Sequence, residues 1–258
     1  NLSNVIDVDY LDKDIIDELM KGLKEACNFA GIAITGGEIA ELGERIGGYG
    51  EKMHFNWSST AIGILPENLK NGLEGNQVKE GNIIIALKSR GFRSNGFSSI
   101  RRILKKKFGD NWHNEVYDEN MSWGEKMLTP SLIYSPVINR IISSDIELKS
   151  VIHITGGGIF DNLRRVLKIN DLGAEFIGLY DPLPEMLKIQ EIGKVSNEEA
   201  YLWWNMGNGM LLICDNKETE GILKILQQNA YSGKRAGIVT TDNAIRIKSS
   251  NIKLHKSY

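Results

Sequence analysis

The sequence predicts an α+β fold in which helices cover a mixed sheet. Segments with helical apolar spacing alternate with short apolar strands, the recognisable strands are few, and no pattern enforces a single parallel sheet. Ile15, Ile16, Leu19, Met20, Leu23 and Cys27 recur at helical spacing, so the stretch from about Asp12 to Phe29 reads as an amphipathic helix that Gly31 stops. Ile32 to Ile34 form a short strand running into Thr35-Gly36-Gly37-Glu38, and a second strand is expected at Ser59 to Leu65, ended by Pro66. The polar, glycine-rich run from Glu67 to Gly81 reads as a connection. It divides a short first domain, residues 1–66, from a second, residues 67–258.

Beyond it, a compact strand at Asn82 to Leu87 leads through a Ser-Arg-Gly loop into a helix from about Phe97 to Phe108. A similar unit recurs at Val151 to Leu167, where a strand runs into three glycines and a helix beginning near Phe160. Met210 to Cys214 is a strand, Glu218 to Asn229 a helix, and Ala236 to Thr240 a further strand. No repeat or low-complexity tract interrupts this order.

The balance of 31 Lys and Arg against 33 Asp and Glu supplies no global field for nucleic acid or an anionic membrane, so any anion site must be local. No apolar run approaches the roughly 20 residues of a membrane span, and the start has neither a basic region nor an apolar one, so a soluble, cytoplasmic protein is expected. Cys27 and Cys214 lack metal-ligand spacing and sit in apolar stretches, which fits two buried free thiols. The chain opens on Asn-Leu-Ser-Asn without methionine, compatible with processing or trimming.

Three glycine-bearing segments carry the chemistry. In the first, Ser89 to Ser98, Gly91 and Gly96 let the backbone approach an anion at a helix start, while Arg93 offers a charge-assisted contact, Ser94 a hydroxyl and Asn95 an amide. An Asn-Gly turn and helix cap would explain the same residues without a ligand. In the second, His153-Ile154-Thr155-Gly156-Gly157-Gly158, three successive glycines exceed what one turn needs, implying that a ligand or another backbone comes close. His153 alternates with Thr155, either as a polar group at a strand end or as a buried, hydrogen-bonded histidine. In the third, Trp203-Trp204-Asn205-Met206-Gly207-Asn208-Gly209-Met210, the adjacent tryptophans should bury at least one ring, and the Asn205, Gly207, Gly209 spacing suggests backbone approach.

Together, Thr-Gly-Gly-Glu-Ile-Ala-Glu at 35–41, Gly-Phe-Arg-Ser-Asn-Gly-Phe-Ser at 91–98, His-Ile-Thr-Gly-Gly-Gly at 153–158 and Asn-Met-Gly-Asn-Gly-Met at 205–210 resemble, in order and spacing, the motifs of aminoimidazole ribonucleotide synthetases. The resemblance covers essentially the whole chain and implies two α/β sandwich-like domains, the first incomplete. It implies ATP-dependent cyclisation of phosphoribosylformylglycinamidine to aminoimidazole ribonucleotide, with ATP and Mg2+ as cofactors and a homodimer paired through the first domain. By carry-over, Gly91, Arg93, Ser94, Asn95, Gly96, Thr155, Gly156, Gly157, Gly158, Asn205, Gly207 and Gly209 contact substrate, His153 lies near the reacting atoms, and Glu38 ligates magnesium. For Glu38 a helix-start carboxylate is the alternative.

There are departures from the pattern. Arg93 stands where the family commonly has histidine, and a guanidinium cannot relay a proton near neutral pH. His54-Phe55-Asn56 replaces an Asp-Tyr-Asp-like stretch. The family's ATP-gripping lysine and acids would precede Asn1, so this polypeptide alone is not expected to turn over. The competing readings are an ATP-using relative of the thiamine-monophosphate kinase, selenophosphate synthetase or hydrogenase-maturation type, against which the His-Ile-Thr-Gly-Gly-Gly run argues, and a non-catalytic ribonucleotide-binding fragment.

Overall fold

A computed structural model describes residues 1–69, 72–248 and 252–254. The chain divides into two compact units, Asn1–Lys70 with Ile133–Pro136, and Asn71–Leu132 with Val137–Tyr258.

In the first unit, β1 (Leu2–Val8), α1 (Lys13–Ala30), β2 (Ile34–Glu41) and β3 (Phe55–Ala61) build a three-stranded sheet in the order β2-β1-β3. The β1–β2 pair is parallel and the β1–β3 pair antiparallel. The expected helix forms because its apolar stripe, Ile15, Ile16, Leu19 and Met20, covers Ile6, Val8 and Met53. Asp12 caps it by accepting hydrogen bonds from the Asp14 and Ile15 amides, and Gly31 closes it at φ 68°. Such a cap contributes about 1 kcal/mol.

Two expectations fail in this unit. The strand expected at Ile32 to Ile34 instead begins at Ile34 and continues through Thr35-Gly36-Gly37-Glu38 to Glu41 as β2, with Glu38 exposed opposite Val5. The helix-start alternative for Glu38 therefore does not hold, since the residue lies within a strand. Sheet pairing overrides the poor strand propensity of glycine here: a Cβ on Gly37 would sit 2.6 Å from the Asn4 carbonyl oxygen, so only glycine lets β2 approach β1. The strand expected at 59–65 is displaced to Phe55–Ala61, and the side chains of Ile62, Ile64 and Leu65 beyond it are exposed, although the Ile62 backbone still exchanges hydrogen bonds with Asn1. The Asp9 carboxylate accepts hydrogen bonds from the His54 amide (2.8 Å) and ring Nδ1 (2.7 Å). Partial burial pushes the Asp9 carboxyl up, but these hydrogen bonds outweigh it and leave its pKa lowered.

The second unit adds β4 (Ile83–Lys88), α2 (Phe97–Phe108), β5 (Val116–Asp118), β6 (Met121–Ser122), α3 (Trp123–Met127), all but the first two residues of α4 (Ser135–Ile142), β7 (Leu148–His153) and α5 (Gly158–Leu167). It continues with β8 (Gly173–Phe176), α6 (Pro184–Gly193), α7 (Asn197–Trp203), β9 (Asn208–Cys214), α8 (Thr219–Gln228), β10 (Gly233–Thr240), β11 (Ile245–Ile247) and β12 (Ile252–Leu254). Seven strands form one mixed sheet in the order β12-β11-β8-β10-β4-β9-β7, so strands are more numerous than the sequence reveals. Short strands such as β8 and β11 carry too few residues to display a period. Ile83 to Leu87 and every residue of β9 are buried, which explains their continuous apolar runs. Cys27 and Cys214 are both buried and free, and burial pushes the Cys214 thiol up to about 11. Among the described residues no helix is long and apolar enough to cross a membrane.

Candidate functional site

The sheet order assembles the site. β9 lies between β4 and β7 and is antiparallel to both, with Lys88 opposite Asn208 and His153 opposite Met210. The ends of β4 and β7 and the start of β9 therefore share one edge. All three glycine segments meet there, although they lie far apart in sequence.

Two helices start at that edge. Gly96 (φ 78°) is the N-cap of α2 and Gly157 (φ 88°) that of α5, and neither helix has a side-chain cap, whereas Asp12, Ser122 and Ser196 cap α1, α3 and α7. First-turn amides left without intrahelical partners carry the positive end of the helix dipole. Between the two starts lies an open pocket of about 420 Å³, lined by Gly96, Ser98, Ser99, Arg102, Gly156 and Gly157, with Leu202 and Trp203 as its apolar wall. Ser98 is exposed, while the Ser99 hydroxyl donates to the Gly96 carbonyl at 2.7 Å. One acid opposes this field: Asp161, in the first turn of α5, lies against Gly157. The α2 end with Arg102 is accordingly the more favourable seat for an anion.

Beside the pocket, the Arg93 guanidinium is hydrogen-bonded to Nε2 of His153. Arg93 adopts φ 63°, a left-handed conformation costly for a residue with a Cβ, of the kind that marks ligand clamps. His153 is exposed at the end of β7, so it is a polar strand-end group and not a core histidine. Partial desolvation and the Arg93 charge both lower its pKa. The neutral imidazole is favoured, and stability linked to it is present above about pH 6.5 and falls as the ring protonates on acidification. Replacing Arg93 by Met should raise the His153 pKa in an NMR titration; an unchanged value would mean that the guanidinium does not set it.

The remaining predicted residues separate into those facing the pocket and those beneath it. The Asn95 side chain lies near Gly156, whose added Cβ would meet Asn95 Oδ1 at an ordinary 3.5 Å, and Ser94 is exposed. Asn205 is buried, and its amide is already used: Nδ2 donates to the Gly91 carbonyl (3.1 Å) and Oδ1 accepts from the Gly207 amide (2.9 Å). The Gly207 carbonyl accepts from the Ser89 amide and the Gly209 carbonyl from the Ile154 amide. Gly91 packs on Thr129, and Gly207 packs on the Asp181 carbonyl oxygen, which an added Cβ would approach to 2.2 Å. Gly158 crowds the Tyr201 carbonyl in the same way. These groups brace the site. Trp204, 1% exposed, packs behind Gly96, edge-on to Phe92, and its ring would lie 2.4 Å from a Cβ at Gly96.

A family model described as AIR synthase related protein, C-terminal domain, matches residues 79–249. The chain belongs to the AIR synthase related family.

It is 31% identical over 230 residues to a phosphoribosylformylglycinamidine cyclo-ligase of Caldicellulosiruptor saccharolyticus, and 32% identical over 235 residues to the Finegoldia magna enzyme of that name. Each alignment covers 89% of this chain and 65% of the relative, so the chain spans about two thirds of the length of these curated relatives. The fold is also that of E. coli HypE, a hydrogenase maturation protein (TM-score 0.64, 17% identity, 99% of this chain and 72% of that one). T. maritima PurL complexed with FGAR is similar as well (TM-score 0.60, 12% identity, 98% and 38%).

Within this AIR synthase related domain, sequence reasoning missed two residues that shape the pocket. Arg102 lies one helical turn after Ser98, a spacing that places both on one face of α2. Asn162 is buried in the second turn of α5 and donates to the carbonyls of Thr155 (3.3 Å), Gly156 (3.1 Å) and Gly158 (2.7 Å), while accepting from the Thr155 hydroxyl (3.0 Å). Thr155 is thereby a brace as well. A polar residue among the apolar positions of α5 was the available signal.

Proposed function

We propose that the protein to which this chain belongs catalyses ATP-dependent cyclisation of phosphoribosylformylglycinamidine to aminoimidazole ribonucleotide. The observation that carries this reading is the convergence of the two uncapped helix starts of α2 and α5 on one pocket with Arg102. That arrangement suits the 5′-phosphate of a ribonucleotide, and the relatives' name supports the substrate. Gly96, Gly156 and Gly157 bring backbone close to the phosphate, Arg93 and Asn95 orient the substrate, and neutral His153, whose Nε2 accepts from Arg93, lies beside the reacting atoms.

ATP, when bound, supplies the phosphoryl group that activates the formyl oxygen. The described residues do not make a magnesium site by themselves, since no three His, Cys, Asp or Glu side chains come together. Glu38 offers a single exposed carboxylate, one ligand at most. The reading also includes a cytoplasmic homodimer pairing through the sheet of the first unit, which exposed Ile34, Ile39 and Phe55 support.

The test is titration of the chain with phosphoribosylformylglycinamidine and with its dephosphorylated riboside, together with ADP release from the full-length protein given ATP and magnesium. Loss of the phosphate should weaken binding about 10- to 100-fold, the effect of one or two charge-assisted contacts. Equal affinities, or ADP release that ignores the substrate, would overturn the proposal. Sedimentation at the mass of one chain would overturn the pairing.

A further inference from the structure

A second cavity, about 490 Å³, opens along α2 on the side leading away from its N-terminus. Four cations line it: Arg102, Lys106 and Lys107 from α2, and Lys194 from the turn that follows α6. No acidic side chain lines it, and none of the four is ion-paired among the described residues, although the neighbouring Lys105 pairs with Asp110. The floor is different in character. Ile103, Ile192, Val195 and Trp203 are half-buried there and packed against the core.

Backbone geometry holds the turn against α2. Lys194 closes α6 in the left-handed region at φ 50°, and a Cβ on the preceding Gly193 would sit 2.7 Å from Ile103 Cδ1, so the turn lies directly on the helix. The cationic rim and the apolar floor are therefore one fixed surface. Uncompensated like charges beside an apolar, aromatic-bearing hollow repel one another unless an anion joins them. A simple anion would satisfy the rim and leave the floor wet, whereas a ligand with a flat ring and a polyanionic tail satisfies both. The volume lies in the range of small-molecule sites.

We propose that this groove binds a nucleoside polyphosphate, with its base against Trp203 and its phosphates between Lys106, Lys107 and Lys194. It adjoins the substrate pocket, since Arg102 and Trp203 line both, but the three lysines belong to the groove alone. Occupancy of the groove thus touches the wall and the cation of the neighbouring pocket. The inference is independent of the cyclo-ligase reading and survives its failure.

Titration with ATP, adenosine and tripolyphosphate, paired with hydrogen–deuterium exchange, tests it. ATP should protect the segments 103–107 and 192–195 and bind at least about tenfold more tightly than either half, as expected when ring and charge contacts both contribute. The double variant K106E/K107E should lose ATP at the groove by about tenfold or more, with its melting temperature close to the parent's. Tripolyphosphate binding as tightly as ATP would reduce the groove to a plain polyanion patch. ATP affinity and protection untouched by K106E/K107E would overturn the proposal, and repeating the result with Lys194→Glu guards against misfolding of α2.

Discussion

Gly158→Ala should destabilise the second unit by more than about 3 kcal/mol, the range for an unrelieved clash combined with left-handed backbone strain. Its added Cβ would lie 2.0 Å from the Tyr201 carbonyl oxygen and 2.8 Å from the carbonyl carbon, both backbone atoms of α7 that no rotamer change can move, and Gly158 itself holds φ 58°. The neighbouring glycine is the control. At Gly156 the nearest atom is Asn95 Oδ1 at 3.5 Å, so Gly156→Ala should melt within a degree or two of the parent, at about the noise of surface substitutions. Its loss should instead appear in substrate affinity, because the methyl enters the pocket. Thermal and urea unfolding of both variants decide the matter. Equal stabilities would mean that the glycine run is not partitioned into one braced and one ligand-facing position.

Asn162→Leu is expected to cost about 2 to 4 kcal/mol, since an isosteric apolar side chain leaves buried acceptors without donors. Three carbonyls of the glycine turn and the Thr155 hydroxyl lose their common partner at once. Thr155→Val alone removes one of these bonds and should cost only about 1 kcal/mol. Because the two side chains are bonded to each other, the double variant should fall short of the sum by about 0.5 kcal/mol or more. Strict additivity would show that Asn162 acts on the carbonyls alone. Substrate affinity should fall with Asn162→Leu even below its melting temperature, because the amide fixes the carbonyls that orient the start of α5.

Much of the local structure was legible in the sequence. α1 was readable from its apolar stripe and from Gly31 at its end, and α2 from Phe97 to Phe108. β4 and β9 were readable as continuous apolar runs, and the four glycine motifs carried the family resemblance. These features are local, fixed by side-chain periodicity and by the backbone freedom of glycine over a few residues. β1 escaped notice because its alternation is diluted by Asn4 and Asp7. The Gly-Gly-Glu segment misled because its conformation is set by β1 opposite, not by its own preference.

Only the tertiary structure decided which motif residues line the pocket. Insertion of β9 between β4 and β7, antiparallel to both, brings Ser89–Gly96, Ile154–Gly158 and Asn205–Gly209 to one edge. The same insertion turns the Asn205 amide inward onto Gly91 and Gly207, while Arg102, unremarkable in sequence, reaches the pocket. The sequence by itself determined the helices α1, α2, α5 and α8, the buried strands β4 and β9, the positions of the glycine motifs and the family. Strand order, register and the sorting of glycines into braces and pocket-lining positions came from non-local pairing, because a glycine looks the same in sequence whether a carbonyl packs on it or a cavity opens beside it.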